Sequence, residues 1–320
     1  MSDMVIHIGF SKTATTTLQR AVFQNHSQIY YLGKILKSQH GHQCISSDTY
    51  DFIAPLLWKT DQPFDLDAAR KFFAETLRPR VDRNKIMLGS WEDLGQRGMA
   101  SFKTSLDRLV AVCGTCKILI VIRNPVSRIP SMYLQHLRGN QKQLVKTFIT
   151  FEEWLDIEEQ RLGNFEEIFS YREYIESAVG LLGTENVGVF LYEEFDADPD
   201  QYLRGVSAFL GVDAKETIDL AEGEHHHTRL FTSQVDQMET LNSSFIGRLL
   251  WRLSSVDKRK ESIGFSDNEG VIQTTVADDV PASVELSPEM TQRILDASRE
   301  DNHWLVNNLH LELEKYGYAL

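Results

Sequence analysis

Cysteine is scarce in this 320-residue chain: only Cys44, Cys113 and Cys116 occur. An odd, small number in a chain of this size excludes a disulfide framework and predicts reduced thiols. Cys113-Gly-Thr-Cys116 has CxxC spacing, but it precedes an apolar run and does not open a helix, where a thiol pKa would fall. A zinc site would need further ligands, and only Cys44 or the run His225-His226-His227 offers them, so the pair reads as a turn before a strand. Long apolar runs are missing too. No stretch approaches the ~18 apolar residues of a membrane span, so no membrane anchor is expected. Met1-Ser2-Asp3-Met4 runs straight into a strand pattern without a basic and then apolar segment, which predicts no secretory leader and a cytoplasmic protein. Positive charge is in deficit, with 33 Lys and Arg against 46 Asp and Glu and a net charge of −13. That field repels long polyanions, nucleic acid included, and suits a small or neutral ligand. No linker rich in Pro, Gly or Ser and no internal repeat divides the chain, so residues 1–320 read as one domain.

What is present is alternation. Val5-Ile6-His7-Ile8-Gly9 is a short apolar run followed by Ser and Thr residues and then a helical pattern from Leu18. Lys85–Gly89, Lys117–Ile122 and Asn186–Leu191 read as three further strands. Helical patterns lie between them, at about 67–80, 101–112, 127–138, 151–160 and 166–182. Strands alternating with helices predict an α/β domain with a central, mainly parallel sheet flanked by helices. Ser287-Pro288-Glu289 opens a C-terminal helix, with Ser as cap and Pro at the first position, and a second helical pattern follows at about 302–315. Residues 254–285 are polar without a period and read as a loop region able to act as a lid.

In an open parallel sheet, ligands bind beyond the carboxyl ends of the strands. After the first strand comes Phe10-Ser11-Lys12-Thr13-Ala14-Thr15-Thr16-Thr17. Backbone N–H groups at a helix start, a lysine and several hydroxyls make a cradle for phosphate or sulfate. It is not a Walker A loop, which needs GxxxxGK followed by Ser or Thr. After the third strand comes Arg123-Asn124-Pro125-Val126-Ser127-Arg128-Ile129-Pro130-Ser131. A helix starting near Ser127 would put Pro130 in its first turn and Arg128 and Ser131 on one face. Arginine plus serine there make a second phosphate site. Two anion sites at neighbouring strand ends imply one ligand with two separated phosphates.

On these motifs the chain resembles the sulfotransferases that use 3′-phosphoadenosine-5′-phosphosulfate (PAPS). Ile6 through Leu18 is similar to their 5′-phosphosulfate loop, commonly PKxGTT or QKTGTT, and Arg123 with Ser131 is similar to their 3′-phosphate motif, Arg and Ser eight residues apart. Leu191-Tyr192-Glu193-Glu194-Phe195, Asp198-Pro199 and Phe209-Leu210-Gly211 resemble the family's YEDL, DP and FLG stretch, and Glu300-Asp301-Asn302 with Tyr316-Gly317-Tyr318 also looks familial. Three positions depart from the pattern: Ala14 stands where Gly is usual, Ser11 replaces Pro or Gln, and Pro130 precedes the motif serine. A methyl at Ala14 crowds the approach of phosphate unless φ is negative there.

The resemblance implies a P-loop-like sulfotransferase fold. It implies that Ser11, Lys12, Thr13, Ala14, Thr15, Thr16 and Thr17 hold the 5′-phosphosulfate and Arg123 and Ser131 the 3′-phosphate, with PAPS as donor and its desulfated form, PAP, as product. Ser90-Trp91-Glu92, at the end of the second strand, is similar to the SSE of the carbohydrate-type branch, which makes Glu92 the expected base and Trp91 a face for a sugar or aromatic acceptor. Lys12 would neutralise charge on the leaving nucleotide, with no metal required. The acceptor is expected to be a glycan, a glycolipid or a small alcohol or phenol carrying a hydroxyl, or an amine, shaped by loops around 33–80 and 135–165. Two other readings stand beside this one: a P-loop kinase or NTPase, and a non-catalytic nucleotide-binding protein. His7 and the aromatics Phe151–Trp154 read as structural, His136 as a packed or surface histidine, and Lys258-Arg259-Lys260 as a solvated charge run, though such a run can close on a 3′-phosphate.

Overall fold

The computed structural model describes residues 4–34, 36–37, 41, 43–92, 94, 98–139, 144–163, 170–222, 229–268 and 271–320. Five strands form one parallel sheet: β1 (Met4–Gly9), β2 (Ile29–Tyr31), β3 (Ile86–Ser90), β4 (Lys117–Ile122) and β5 (Val187–Leu191), in the order β2-β3-β1-β4-β5. The mainly parallel sheet expected from the alternation is therefore present. β1 sits at its centre, paired with β3 on one side and β4 on the other, so the loops after these three strands meet at one edge. β2 was not anticipated; its three residues, Ile29-Tyr30-Tyr31, are too few to show a period.

Strand alternation divides the core between the two faces of the sheet. Met4, Ile6, Ile8, Ile118, Ile120 and Ile122 face one cluster, covered by α2 (Ser47–Leu57), α4 (Met99–Cys113), α7 (Arg172–Leu182) and the C-terminal residues Leu313 and Tyr318. Val5, Leu88, Leu119 and Val121 face the other, covered by Leu18, Val22 and Phe23 and by α9 (Pro199–Leu210). Leu18, Val22 and Phe23 belong to a π-helical stretch, Leu18–Phe23, into which α1 (Thr15–Thr17) runs directly. α3 (Leu66–Phe72) continues through a π-helical turn and a 3-10 turn to Arg80, matching the pattern at 67–80. α8 (Tyr192–Ala197) follows β5 directly, and α10 (Ala214–Ala221) follows α9, which Asp198 caps through the Gln201 N–H.

A third cluster lies off the sheet. It joins α5 (Pro125–Arg138) and α6 (Phe151–Leu162) to α11 (Thr232–Asn242), α12 (Phe245–Leu253) and α14 (Pro288–Leu309), with Ile263 just past α13 (Val256–Ser262). Several boundaries differ from the sequence reading. α5 begins at Pro125, because the Asn124 side chain accepts from the Val126 N–H and caps it two residues early, so Pro130 lies inside the helix and not in its first turn. α14 is one helix, and the pattern at 302–315 is its second half plus a 3-10 turn. Ser287 does cap it, accepting from the Met290 N–H. The segment 254–285 carries α13 and a two-stranded hairpin, β6 (Ser266–Asn268) with β7 (Val271–Gln273); its polarity masked short elements in a stretch that buries a few apolar residues, Ile263, Phe265, Ile272 and Ala282 among them. His225-His226-His227, and the start of the helical pattern at 166–182, lie outside the described residues.

Candidate active site

The loop after β1 is held in a shape that ordinary side chains resist. Lys12 (φ 72°) and Ala14 (φ 56°) both adopt left-handed backbone. That conformation costs a non-glycine residue ~1–2 kcal/mol. The alanine does not take the negative φ that would have spared it, which is the physical reason glycine is usual there. The loop also presses on its own strand: a Cβ at Gly9 would meet the Thr15 methyl at 1.8 Å. Strain of this kind persists where the surroundings over-determine it. Thr13 donates its hydroxyl to the Phe10 carbonyl at 2.6 Å, so its side chain holds the turn. Arg128 lies against the Phe10 and Tyr171 rings and donates from Nε to the Ser11 carbonyl at 3.2 Å. It braces the loop from behind.

Four cations converge here. Burial, and then the charges of Arg138, Arg229 and Arg123, push the Lys12 ammonium down to about 8. Arg123 extends from the end of β4, lies over the Tyr192 ring at 4.3 Å, and donates to the Ser127 hydroxyl and the Lys12 carbonyl, both at 2.9 Å. Its surroundings are themselves tied down. Tyr171 donates to the Arg123 carbonyl at 2.6 Å, and Glu193 accepts from the Asn124 N–H at 2.8 Å and from the Tyr318 hydroxyl at 3.1 Å. The Tyr-Glu motif after β5 thus works as the floor and clamp of the arginine loop. The hydroxyls of Ser11 and Ser131 are buried without a hydrogen-bond partner. Unpaired buried hydroxyls beside converging cations are complementary to an anion that brings its own oxygens.

Glu92 lies on the other side of the loop. Its Oε1 accepts from the Thr15 hydroxyl at 2.5 Å, the Lys34 ammonium at 3.0 Å and the Gln19 amide at 3.2 Å. Burial pushes this carboxyl up, but Lys34 and the Thr15 hydroxyl more than offset that, so it stays ionised below its ordinary range. Gln19 organises the cluster. Its Oε1 accepts from Lys34 at 2.9 Å and its Nε2 donates to Ser90 at 2.7 Å. The Ser90 hydroxyl also lies 2.7 Å from Nδ1 of His7, directly beside it in the sheet register, so the two share a hydrogen bond. Burial drives the His7 pKa down to about 3, so the ring is neutral.

Of the residues expected from sequence, Ser11 to Thr17, Glu92, Arg123 and Ser131 all meet at the carboxyl ends of β1, β3 and β4. Trp91 does not serve as an acceptor platform. It is buried in the core, edge-on to Trp58 at 5.7 Å, and Gly89 is the residue that leaves room for its ring. His136 is part-exposed at the end of α5, and burial lowers its pKa. Cys113 and Cys116 flank the turn before β4 as unpaired thiols, pushed by burial up to about 12 and about 11, the opposite of a reactive pair. Among the described residues no group of three His, Cys, Asp or Glu side chains is placed to hold a metal ion. Sequence reasoning missed Lys34, Gln19, Arg138 and Arg229. Lys34 follows the carboxyl end of β2, but that strand is too short to be read from sequence, so its position carried no signal.

A parallel α/β sheet with a strained loop after its central strand is an architecture in which ligands bind beyond the carboxyl ends of the strands. Residues 2–246 match the sulfotransferase domain family, and the chain belongs to that family. A sulfotransferase from Alicyclobacillus acidocaldarius is similar in structure, with 19% identity, a TM-score of 0.55, and coverage of 99% of this chain and 98% of that one. A mouse sulfotransferase complexed with PAP aligns at 14% identity and a TM-score of 0.45 over 94% of this chain and 85% of that one. No curated protein matches the sequence.

Proposed function

We propose that this sulfotransferase transfers a sulfuryl group from PAPS to a hydroxyl, or an amine, of a glycan, glycolipid or small alcohol, with Glu92 as base. The observation that carries this reading is the convergence of Lys12, Arg123, Arg138 and Arg229 on a loop whose neighbours Ser11 and Ser131 hold unsatisfied buried hydroxyls. A donor with phosphates at both ends of its ribose fits that arrangement. The strained loop and Lys12 meet the 5′ end, while Arg123 and Ser131 meet the 3′ end. Bound there, PAPS supplies a sulfuryl group already activated on a good leaving group.

The chain's residues then have separable tasks. Lys12 stabilises the charge that grows on the bridging oxygen as the sulfur–oxygen bond to the nucleotide breaks. The transferred group carries a single negative charge, so a lysine and a set of N–H donors meet the need. Glu92 takes the proton from the acceptor oxygen as the new oxygen–sulfur bond forms. Its Oε1 is filled by three donors, and among the described residues no hydrogen bond engages Oε2, the oxygen we assign to receive that proton. Lys34 keeps the carboxylate ionised at neutral pH at the cost of some basicity. We assign the shaping of the acceptor pocket to the loops at 33–80 and 135–165, and its closure to the segment 254–285.

The test is transfer from radiolabelled PAPS across an acceptor panel, with PAP binding measured by calorimetry. Lys12→Ala is expected to weaken binding and turnover together, and Glu92→Gln to spare binding and remove turnover. Absence of PAP uptake by the wild type would overturn the reading; persistence of activity in Glu92→Gln would overturn the base.

A further inference from the structure

We propose that α12 is a docking helix that seats its apolar face on an anionic lipid surface. Its sequence, Phe245-Ile-Gly-Arg-Leu-Leu-Trp-Arg-Leu253, is sorted around the helix axis. Advancing about 100° per residue, Phe245, Leu249, Leu253, Ile246 and Leu250 fall in one arc roughly 140° wide. Trp251 falls almost opposite the middle of that arc. Trp251 is 4% exposed and donates its indole N–H to the Val145 carbonyl at 2.9 Å. The helix is therefore planted in the molecule by one side, and the apolar arc is turned outward. The exposures agree: Phe245 76%, Leu253 74%, Ile246 69%, Leu250 62% and Leu249 46%. Leu241, at the end of α11, extends the patch at 40%. Scattered exposed leucines need no explanation, but five on one helix face with a buried tryptophan behind them mark an interaction surface.

Charge decides the occupant. Arg248 and Arg252 line one edge of the arc, both exposed. Across residues 241–260 the cations that reach the surface are Arg248, Arg252, Lys258 and Lys260, Arg259 being buried, and the sole acid is Asp257, in a chain whose net charge is −13. An apolar arc edged by arginines is the pattern of a helix lying in the plane of a membrane interface, leucines among the acyl chains and guanidinium groups at anionic headgroups. A second copy fits less well. A two-fold contact would set this cationic segment against itself. One nine-residue helix also falls short of the about 20–30 residues a side of a standard interface. The surface is peripheral and distinct from a span, and no described helix is long and apolar enough to cross a membrane.

The test is co-sedimentation of the full chain with vesicles of phosphatidylcholine mixed with phosphatidylglycerol, beside vesicles of phosphatidylcholine alone, with light scattering of the free protein. Partition onto the anionic vesicles is expected to be roughly tenfold or more stronger, since each cation near such a surface contributes about 1 kcal/mol. Leu249→Gln with Leu250→Gln and Leu253→Gln should abolish it, and Arg248→Gln with Arg252→Gln should reduce it to the level on neutral vesicles. These side chains face outward, so both variants should keep the wild-type unfolding midpoint. No partition onto either vesicle, or equal partition onto both, overturns the proposal. A dimer in solution that the leucine changes dissolve, without vesicle binding, also overturns it and assigns the face to a second copy.

Discussion

Single residues at this site carry charge states that folding has set, and two of them make the site pH-dependent in opposite directions. Lys12 sits at about 8 because burial and neighbouring arginines disfavour its charge. An anion bound beside it favours the ammonium, so binding PAP takes up a proton once the free lysine begins to deprotonate. Affinity should fall by up to tenfold per pH unit above about pH 8, and calorimetry in buffers of different ionisation enthalpy should show the proton uptake. In Lys12→Met both effects should vanish. His7 works on stability. Its folded pKa, about 3, lies below the ordinary 6.5, so between those values the unfolded chain binds the extra proton. The stability owed to its neutrality is therefore complete above pH 6.5 and declines as pH falls, by up to about 1.4 kcal/mol per unit. Denaturation of wild type and His7→Asn compared between pH 6.5 and 5 should show the steeper loss in the wild type; parallel slopes would mean that the ring does not titrate on unfolding.

At the scale of elements, loops are positioned by neighbours distant in sequence, and the C-terminal contacts show it best. Glu193, one residue into α8, ties the Asn124 N–H at the end of β4 to the Tyr318 hydroxyl near the chain's end. Glu193→Ala would leave a buried N–H without a partner, at a cost of about 1–3 kcal/mol. It should also lower PAP affinity severalfold, because the Arg123 loop loses its clamp. Urea denaturation and calorimetry together check this, and a stability loss without an affinity loss would confine Glu193 to a structural role. The same contacts mark what could be read from sequence. β1, β3, β4 and β5 announced themselves as continuous apolar runs, and Lys12, Glu92 and Arg123 could be found because each follows such a run, whereas Ser131, inside α5, could be found through its spacing of eight residues from Arg123. Lys34 could not, since the three residues of β2 carry no period. Gln19, Arg138 and Arg229 are brought in by tertiary packing that no local pattern encodes. Trp91 was misread for a related reason: an aromatic beside a site residue looks like a ligand platform until the fold turns it into the core. Pro130 was misplaced because Asn124, and no later residue, caps α5.

Over the whole molecule, a chain of net charge −13 concentrates cations in one cleft, and the two facts act at different ranges. The cleft acts within a few ångströms, where water is largely excluded and salt screens poorly. The global field acts beyond the Debye length, about 8 Å at physiological ionic strength, and is screened readily. On the proposed function, a compact anionic nucleotide would gain from Lys12 and Arg123 in that cleft, whereas a long polyanionic acceptor would have to lie along the acidic exterior as well. Turnover of a neutral acceptor at saturating PAPS should accordingly change little between low and physiological salt. Turnover of a densely charged glycan should be poor at low salt and rise severalfold as added salt screens the repulsion. Steady-state rates with one neutral and one polyanionic acceptor over a salt series measure the difference. If the polyanion is instead the better substrate at low salt, a basic path must lead to the cleft, and the acidic balance of the chain then says nothing about its acceptor.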